Sequence, residues 1–432
     1  MIDFICNILI FLSVWDSCKN SEKNILEKKT KEQRFILEKK IETKKIDEEK
    51  RIAKIEEERL AEEKRIEKEK KKLHIETPEY VQSLYYTAYA IGNEERYDNL
   101  LKISKNTEIN SVIIDIKTVS WYTSFNFDNS RFWKIKSVSD NRIKNIKEII
   151  KDLHLENIYV VWRIVVFKDN LLTKNRPDLA YKWSWNKNKT WWDYSGNKYL
   201  DANSKEVWDY NFNIASEAYK IGFDEINFDY IRFPSDWKIH QIYAPFSDEV
   251  LKKDKINWKI KIINNFSKYI TTKLKKKHPK IVLSADVFWL VTNWNLNTIW
   301  QSLEWFLKHF DFVAPMTYPS HYWKWFLGFA NPDNHPYEII TDALKNAYSK
   351  IDKYNLDKNN IKKLEKKQIR LWLQWFSCTR CKGSTPYMDN KFKLQTKAIT
   401  DNNSSWFWVW NANSNYYESW YKPHLTSPKG EE

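Results

Sequence analysis

What most constrains this chain is an alternation. From Glu76 onward, short segments rich in β-branched and aromatic residues take turns with amphipathic stretches of helical period. The pattern predicts strands at residues 84–90, 111–117, 158–167, 225–233, 280–288, 312–319, 368–376 and 405–412. Helices are expected between them at 96–105, 141–153, 205–221, 255–276, 297–309, 337–351 and 391–400. Eight strands separated by helices over some 350 residues predict an α/β fold, a (β/α)8 TIM barrel with loop insertions. A doubly wound sheet is the competing topology. It would want a glycine-rich phosphate loop after the first strand, and Tyr89-Ala90-Ile91-Gly92-Asn93 does not supply one. Hydrophobic residues make up 42% of 432, enough for a large core, which excludes global disorder and small disulfide scaffolds. No apolar run is long enough for a membrane bundle.

The region before the barrel reads differently. Residues 1–20 combine an apolar stretch from Phe4 with Cys18, as in a signal peptide or short membrane anchor, although Asp3 and Asp16 depart from that pattern. A buried helix is the alternative. Residues 21–75 are dominated by Lys and Glu, with sparse Ile and Leu and no Gly, and predict a charged helical or weakly coiled-coil stalk. The expected organisation is thus 1–20 signal or anchor, 21–75 stalk, 76–420 barrel and 421–432 tail. It implies a secreted or envelope-associated protein, with membrane attachment through the N-terminus and self-association through the stalk as its possible partnerships.

In a TIM barrel the chemistry lies at the C-terminal ends of the strands. Period two along 225–233 puts Glu225, Asn227 and Asp229 on one face, a costly arrangement without a role, so Asp229 is the first catalytic candidate. On the next strand Asp286 shares parity with Ser284. Paired carboxylates on adjacent strand ends are what glycoside hydrolysis requires. Asp115 with Lys117, and Arg163 followed by Lys168 and Asp169, supply further charge; they either hold the carboxylates ionised or neutralise the barrel mouth. Tyr318, His321, Trp372, Gln374 and Asn411 are candidates for holding a sugar, along with Arg370, Trp408, Trp410 and Asn415, since aromatic faces take its apolar side and amides its hydroxyls. Arg232 closes the fourth-strand segment.

Cys378-Thr379-Arg380-Cys381 is a lone CxxC. His321 and His335 stand at spacings that promise no further zinc ligands, so a loop disulfide is expected. No metal or cofactor is required. No Ser-His-Asp order, Walker loop or HExxH helix occurs, and the net charge of +15 sits largely on stalk and helix lysines, without a nucleic-acid-binding motif. The expected partner is a polysaccharide, not a nucleic acid.

Two counts stand out: 6 glycines, in a chain length where about 7% is usual, and 23 tryptophans. Trp237, Trp294 and Trp323 to Trp325 occupy turn contexts such as Ser-Asp-Trp-Lys, where glycine is expected. Some bacterial lineages read the codon UGA as glycine; decoding it as tryptophan would produce this exchange. A genuinely Trp-rich sugar-binding protein is the alternative.

The segments 163–169, 222–234, 284–288, 315–322 and 331–333 together resemble a bacterial family of glycosidase-like TIM-barrel proteins long filed as a domain of unknown function. The likeness spans roughly residues 80–417. It implies an exported or envelope-facing glycoside hydrolase in which Asp229 matches the fourth-strand Asp, where α-amylase-like barrels carry their nucleophile. Asp286 matches the fifth-strand Asp, where amylase-like enzymes carry Glu as acid. Trp121, Trp162, Trp237, Trp289, Trp300, Trp323, Trp325 and Trp406 stand where that family has Gly or another small residue. The expected mechanism is retaining, with carboxyl groups about 5 Å apart; a separation of about 6.5–9.5 Å would mean inversion. A non-catalytic carbohydrate-binding or envelope-scaffold barrel is the competing class.

Overall fold

The computed structural model describes residues 73–118, 143, 145–294, 299–379, 381 and 385–422, together with 42–60 and scattered positions between 21 and 40. The expected signal or anchor, most of the tail and Trp121 lie outside the described residues. The chain forms two compact units, Met1–Lys71 and Lys72–Glu432. In the first, residues 42–60 are helical, and Ile46, Ile52, Ile55 and Leu60 are exposed. Ion pairs one turn apart, such as Arg59 with Glu56 at 2.6 Å, support it locally. Among the described residues no helix is long and apolar enough to cross a membrane.

The second unit is a closed parallel barrel. Its strands are β1 (Gln82–Thr87), β2 (Ser111–Lys117), β3 (Tyr159–Val165), β6 (Glu225–Asp229), β8 (Val282–Phe288), β9 (Phe312–Met316), β10 (Leu371–Gln374) and β11 (Phe407–Trp410). They stand in the order β1-β11-β10-β9-β8-β6-β3-β2, and β1 pairs with β11 to close the ring. All eight expected strands form, several ending earlier than their hydrophobic runs. In the first, Ala88–Ile91 leaves the sheet as a helical turn, because the Thr87 side chain accepts from the amide of Ala90 and caps it.

A small antiparallel sheet was not expected. It is made of β4 (Lys182–Trp183), β5 (Asn186–Thr190) and β7 (Ile242–Tyr243), inserted after β3 and β6 and therefore at the functional end of the barrel. Its strands are too short and, along Asn186-Lys187-Asn188-Lys189, too polar to show in a hydrophobic pattern.

Alternation sorts the strand residues between two cores. Outward side chains such as Val112, Ile114, Trp162, Ile226, Phe228 and Leu283 pack beneath the helices. Inward ones, including Tyr85, Ile113, Tyr159, Val161 and Trp408, fill the barrel. An ion pair lies inside the barrel: Arg370 is 2.7 Å from Glu225, both fully buried, with the Tyr159 hydroxyl donating to Glu225 and the Phe312 ring 3.3 Å from the guanidinium. Arg370 and Trp408, expected at the sugar, are therefore interior packing residues.

Backbone geometry bears on the tryptophan excess. Trp237, Trp300 and Trp325 have φ of +53°, +57° and +69°. This left-handed region costs an L-residue about 1–2 kcal/mol and costs glycine little. By contrast, Trp162 is fully buried against Phe223, and Trp289 stacks on Tyr322 at 3.8 Å, so the fold accommodates those indoles where the family has small residues. The turns thus favour glycine at 237, 300 and 325. The expected result of peptide mass mapping on protein from its native source is glycine at all three; tryptophan there would end the recoding explanation.

Candidate active site

The inward parity of β2, β3, β6 and β8 converges on one guanidinium. Register places Asp115 beside Arg163, Arg163 beside Asn227, and Asn227 beside Ser284, so that the next inward positions, Asp229 and Asp286, follow at the strand ends. Arg163 donates through Nη1 to Asp115 at 2.8 Å, through Nη2 to Asp229, and through Nε to Asp286 at 3.3 Å. All four side chains are buried. Asp229 also accepts from the amide of Tyr230 at 2.5 Å, and Asp115 from the Tyr85 hydroxyl at 2.8 Å.

Three ionised carboxyl groups around one cation would leave two negative charges uncompensated in a dry site, so a proton is retained. Asp286 is the group that keeps it. Burial, and then the charge of Asp229, push its carboxyl up to about 8, against the opposing pull of Arg163, of Trp372 Nε1 donating at 2.8 Å and of Asn227 donating at 3.0 Å. Asp115 is also raised by burial, with Arg163 opposing.

Above this cluster opens a cavity of about 610 Å³, lined by Arg163, Asp229, Arg232, Asp286, Tyr318, His321, Trp372 and Asn411 among the expected residues. Arg232 lies between the rings of Tyr230 and Phe288. Trp410 lines the wall with its ring 5.1 Å from the Arg163 guanidinium. Sequence reasoning missed Tyr85, which shares inward parity on β1, and the apolar lining from Tyr230, Phe288, Met316 and Phe376. Loops whose course periodicity does not reveal carry part of that lining.

The remaining candidates lie elsewhere. Lys117 pairs with Asp169 at 3.0 Å and donates to the carbonyl of Val165, and Lys168 pairs with Asp193 at 3.0 Å, so these charges are satisfied outside the cavity lining. Asn227 is fully buried beneath Asp286 and acts on it directly. Gln374 does not line the cavity: its amide donates to Phe376 O and accepts from Ser320 N, tying two loops together. Asn411 does line it, although its amide is held by Asn413 and Asn415. The expected disulfide joins Cys378 and Cys381. Against the reading from spacing, His321 stands beside it: the ligand atoms of His321, Cys378 and Cys381 all lie within 4.8 Å of one another.

The model of a family described as "Putative glycosyl hydrolase domain" matches residues 83–416, most of the chain and the whole barrel. Among solved structures, a hypothetical protein from Ruminiclostridium thermocellum is 33% identical over 47% of this chain and 97% of its own, with a TM-score of 0.40. The PgaB (BpsB) glycoside hydrolase domain from Bordetella bronchiseptica is 12% identical, covering 78% of this chain and 95% of that one at a TM-score of 0.52. Alpha-L-fucosidase isoenzyme 2 from Paenibacillus thiaminolyticus is 12% identical, covering 79% and 48% at a TM-score of 0.50. The last two likenesses show the shared fold. No curated protein matches.

Proposed function

The chain belongs to this family of glycosyl hydrolase domains, and from that premise we propose that it cleaves a polysaccharide glycosidic bond with Asp286 as the proton donor and Asp229 as the nucleophile. The observation that carries this reading is the pairing of two strand-end carboxyl groups on one buried guanidinium, with a proton held on one of them. Groups whose surroundings separate their protonation states divide acid and base roles between them. Asp286 is protonated at neutral pH and can give its proton to the departing sugar oxygen. Asp229, set against Arg163, carries the charge that meets the developing oxocarbenium carbon. Attack would form a glycosyl ester on Asp229; Asp286, then deprotonated, would take a proton from the water that hydrolyses it, restoring both groups. Contact of both carboxyl groups with one guanidinium on adjacent strands favours the close spacing of a retaining enzyme over a wider gap holding a water.

Trp410, Trp372, Tyr318 and Phe288 give the cavity the aromatic surface that sugar faces stack on. The test is reducing-end release from neutral and anionic polysaccharides by the full chain, with the anomer of the first product read by NMR. Release with retained configuration is expected. A folded protein that binds a glycan without releasing ends would instead make it a carbohydrate-binding barrel.

A further inference from the structure

The CxxC pair and His321 are used by nothing in the mechanism above, yet the fold assembles them with some care. His321 ends a turn, Pro319–His321, that follows β9, and Cys378 lies beyond β10, its neighbour in the barrel. The turn is fastened to β10 by the Ser320 amide donating to Gln374 at 3.0 Å. The imidazole is held edge-on against Tyr318 and Phe376, at 5.4 and 5.8 Å between ring centres, and its Nδ1 meets Ser320 Oγ at 3.1 Å, which leaves Nε2 for a ligand. The Cys381 amide donates to the Cys378 carbonyl at 3.1 Å, folding the CxxC into a turn that brings both sulfurs together.

We propose that Cys378, Cys381 and His321 form a redox-gated zinc site on the rim of the sugar cleft. Two thiolates and one imidazole are a borderline-soft set that zinc accepts in tetrahedral geometry, and three protein ligands leave a fourth position open. Because His321 and Cys378 line the same cleft as Asp286 and Trp372, a metal held there would sit on the rim of that cleft. A water or a sugar hydroxyl is the ligand it would take. The disulfide and the metal are alternative states of one site. A dithiol reductant transfers two electrons and two protons to the disulfide, giving two thiols and an oxidised reductant; zinc then displaces both thiol protons as it binds. The site stands on its own geometry and does not depend on the roles given to Asp229 and Asp286.

Cobalt(II) titration of the full chain tests it, because thiolate ligation produces a near-ultraviolet charge-transfer band whether or not the enzyme turns over. The reduced protein is expected to bind one equivalent with that band and with tetrahedral visible bands, to release it to zinc, and to lose it on reoxidation. His321→Ala is expected to weaken binding by at least about tenfold, the lower end of what loss of even a supporting contact costs, and Cys381→Ser to diminish the charge-transfer band. No band in the reduced wild-type protein, or a His321→Ala titration that superimposes on it, would overturn the site. The wild-type comparison of oxidised and reduced protein needs no variant to fold.

Discussion

Replacing Asp229 by Asn is expected to cut turnover by about 10⁴-fold, or roughly 5–6 kcal/mol of transition-state stabilisation, while leaving glycan binding nearly intact. The amide keeps the shape and can still accept the Tyr230 N–H, but it cannot form the glycosyl ester or answer the positive charge that develops at the sugar carbon. Arg163 keeps two other carboxyl partners, Asp115 and Asp286, so the buried cation is not abandoned and the fold should persist. The change also reaches its neighbour. The charge of Asp229 is the second cause, after burial, of the raised Asp286 carboxyl, so Asp229→Asn should lower the titration of Asp286. Kinetics with an activated aryl glycoside, followed by NMR titration of the variant, check both parts. Unchanged turnover would remove Asp229 from the mechanism.

Much of this site was legible in the sequence because strands impose period two. Once residues 225–229 are a strand, Glu225, Asn227 and Asp229 must share a face, and the same rule brings Asp115, Arg163, Ser284 and Asp286 inward. Parity does not tell depth. Glu225 and Asp229 lie on one face, yet Glu225 is spent on Arg370 in the barrel interior while Asp229 reaches the cavity. Depth depends on the stagger between strands, which no single segment contains. For the same reason Arg370 and Gln374 read like sugar ligands and turned out to be an interior counter-ion and a loop tie. The meeting of His321 with the CxxC was hidden for a related reason: positions 321 and 378 are far apart in sequence, and only the adjacency of β9 and β10 brings their loops together. The β4–β5–β7 insertion escaped notice because it is held by short backbone pairings and buried indoles such as Trp183 and Trp191, without alternation long enough to register.

The second large effect concerns pH. If Asp286 is the proton donor, activity should fall above about pH 8 as its carboxyl ionises, and Asp286→Asn should lose about 10²–10⁴-fold on substrates with poor leaving groups and lose the alkaline limb with it. Substrates whose leaving group needs no proton should be spared most of that loss, a contrast that a merely structural Asp286 would not produce. Stability should follow the same proton in the opposite sense to an ordinary ion-paired carboxylate. Between the unfolded value near 3.8 and the folded value of about 8, the native chain holds a proton that the unfolded chain has released. This group's contribution is therefore most favourable below the unfolded value and declines as pH rises towards 8, where ionisation forces a second buried charge beside Asp229. Asp286→Asn removes that charge while its amide can still meet Trp372 and Asn227 in part, so urea midpoints of the variant should gain on the wild type between pH 5 and pH 8. Asp229→Asn should leave the onset of the decline near the unfolded value but end it at a lower pH, since it takes away the repulsion that holds the proton on in the folded state. A stability difference between wild type and Asp286→Asn that is flat across this window would mean that Asp286 is ionised throughout, and the donor role would then have to be carried by another group.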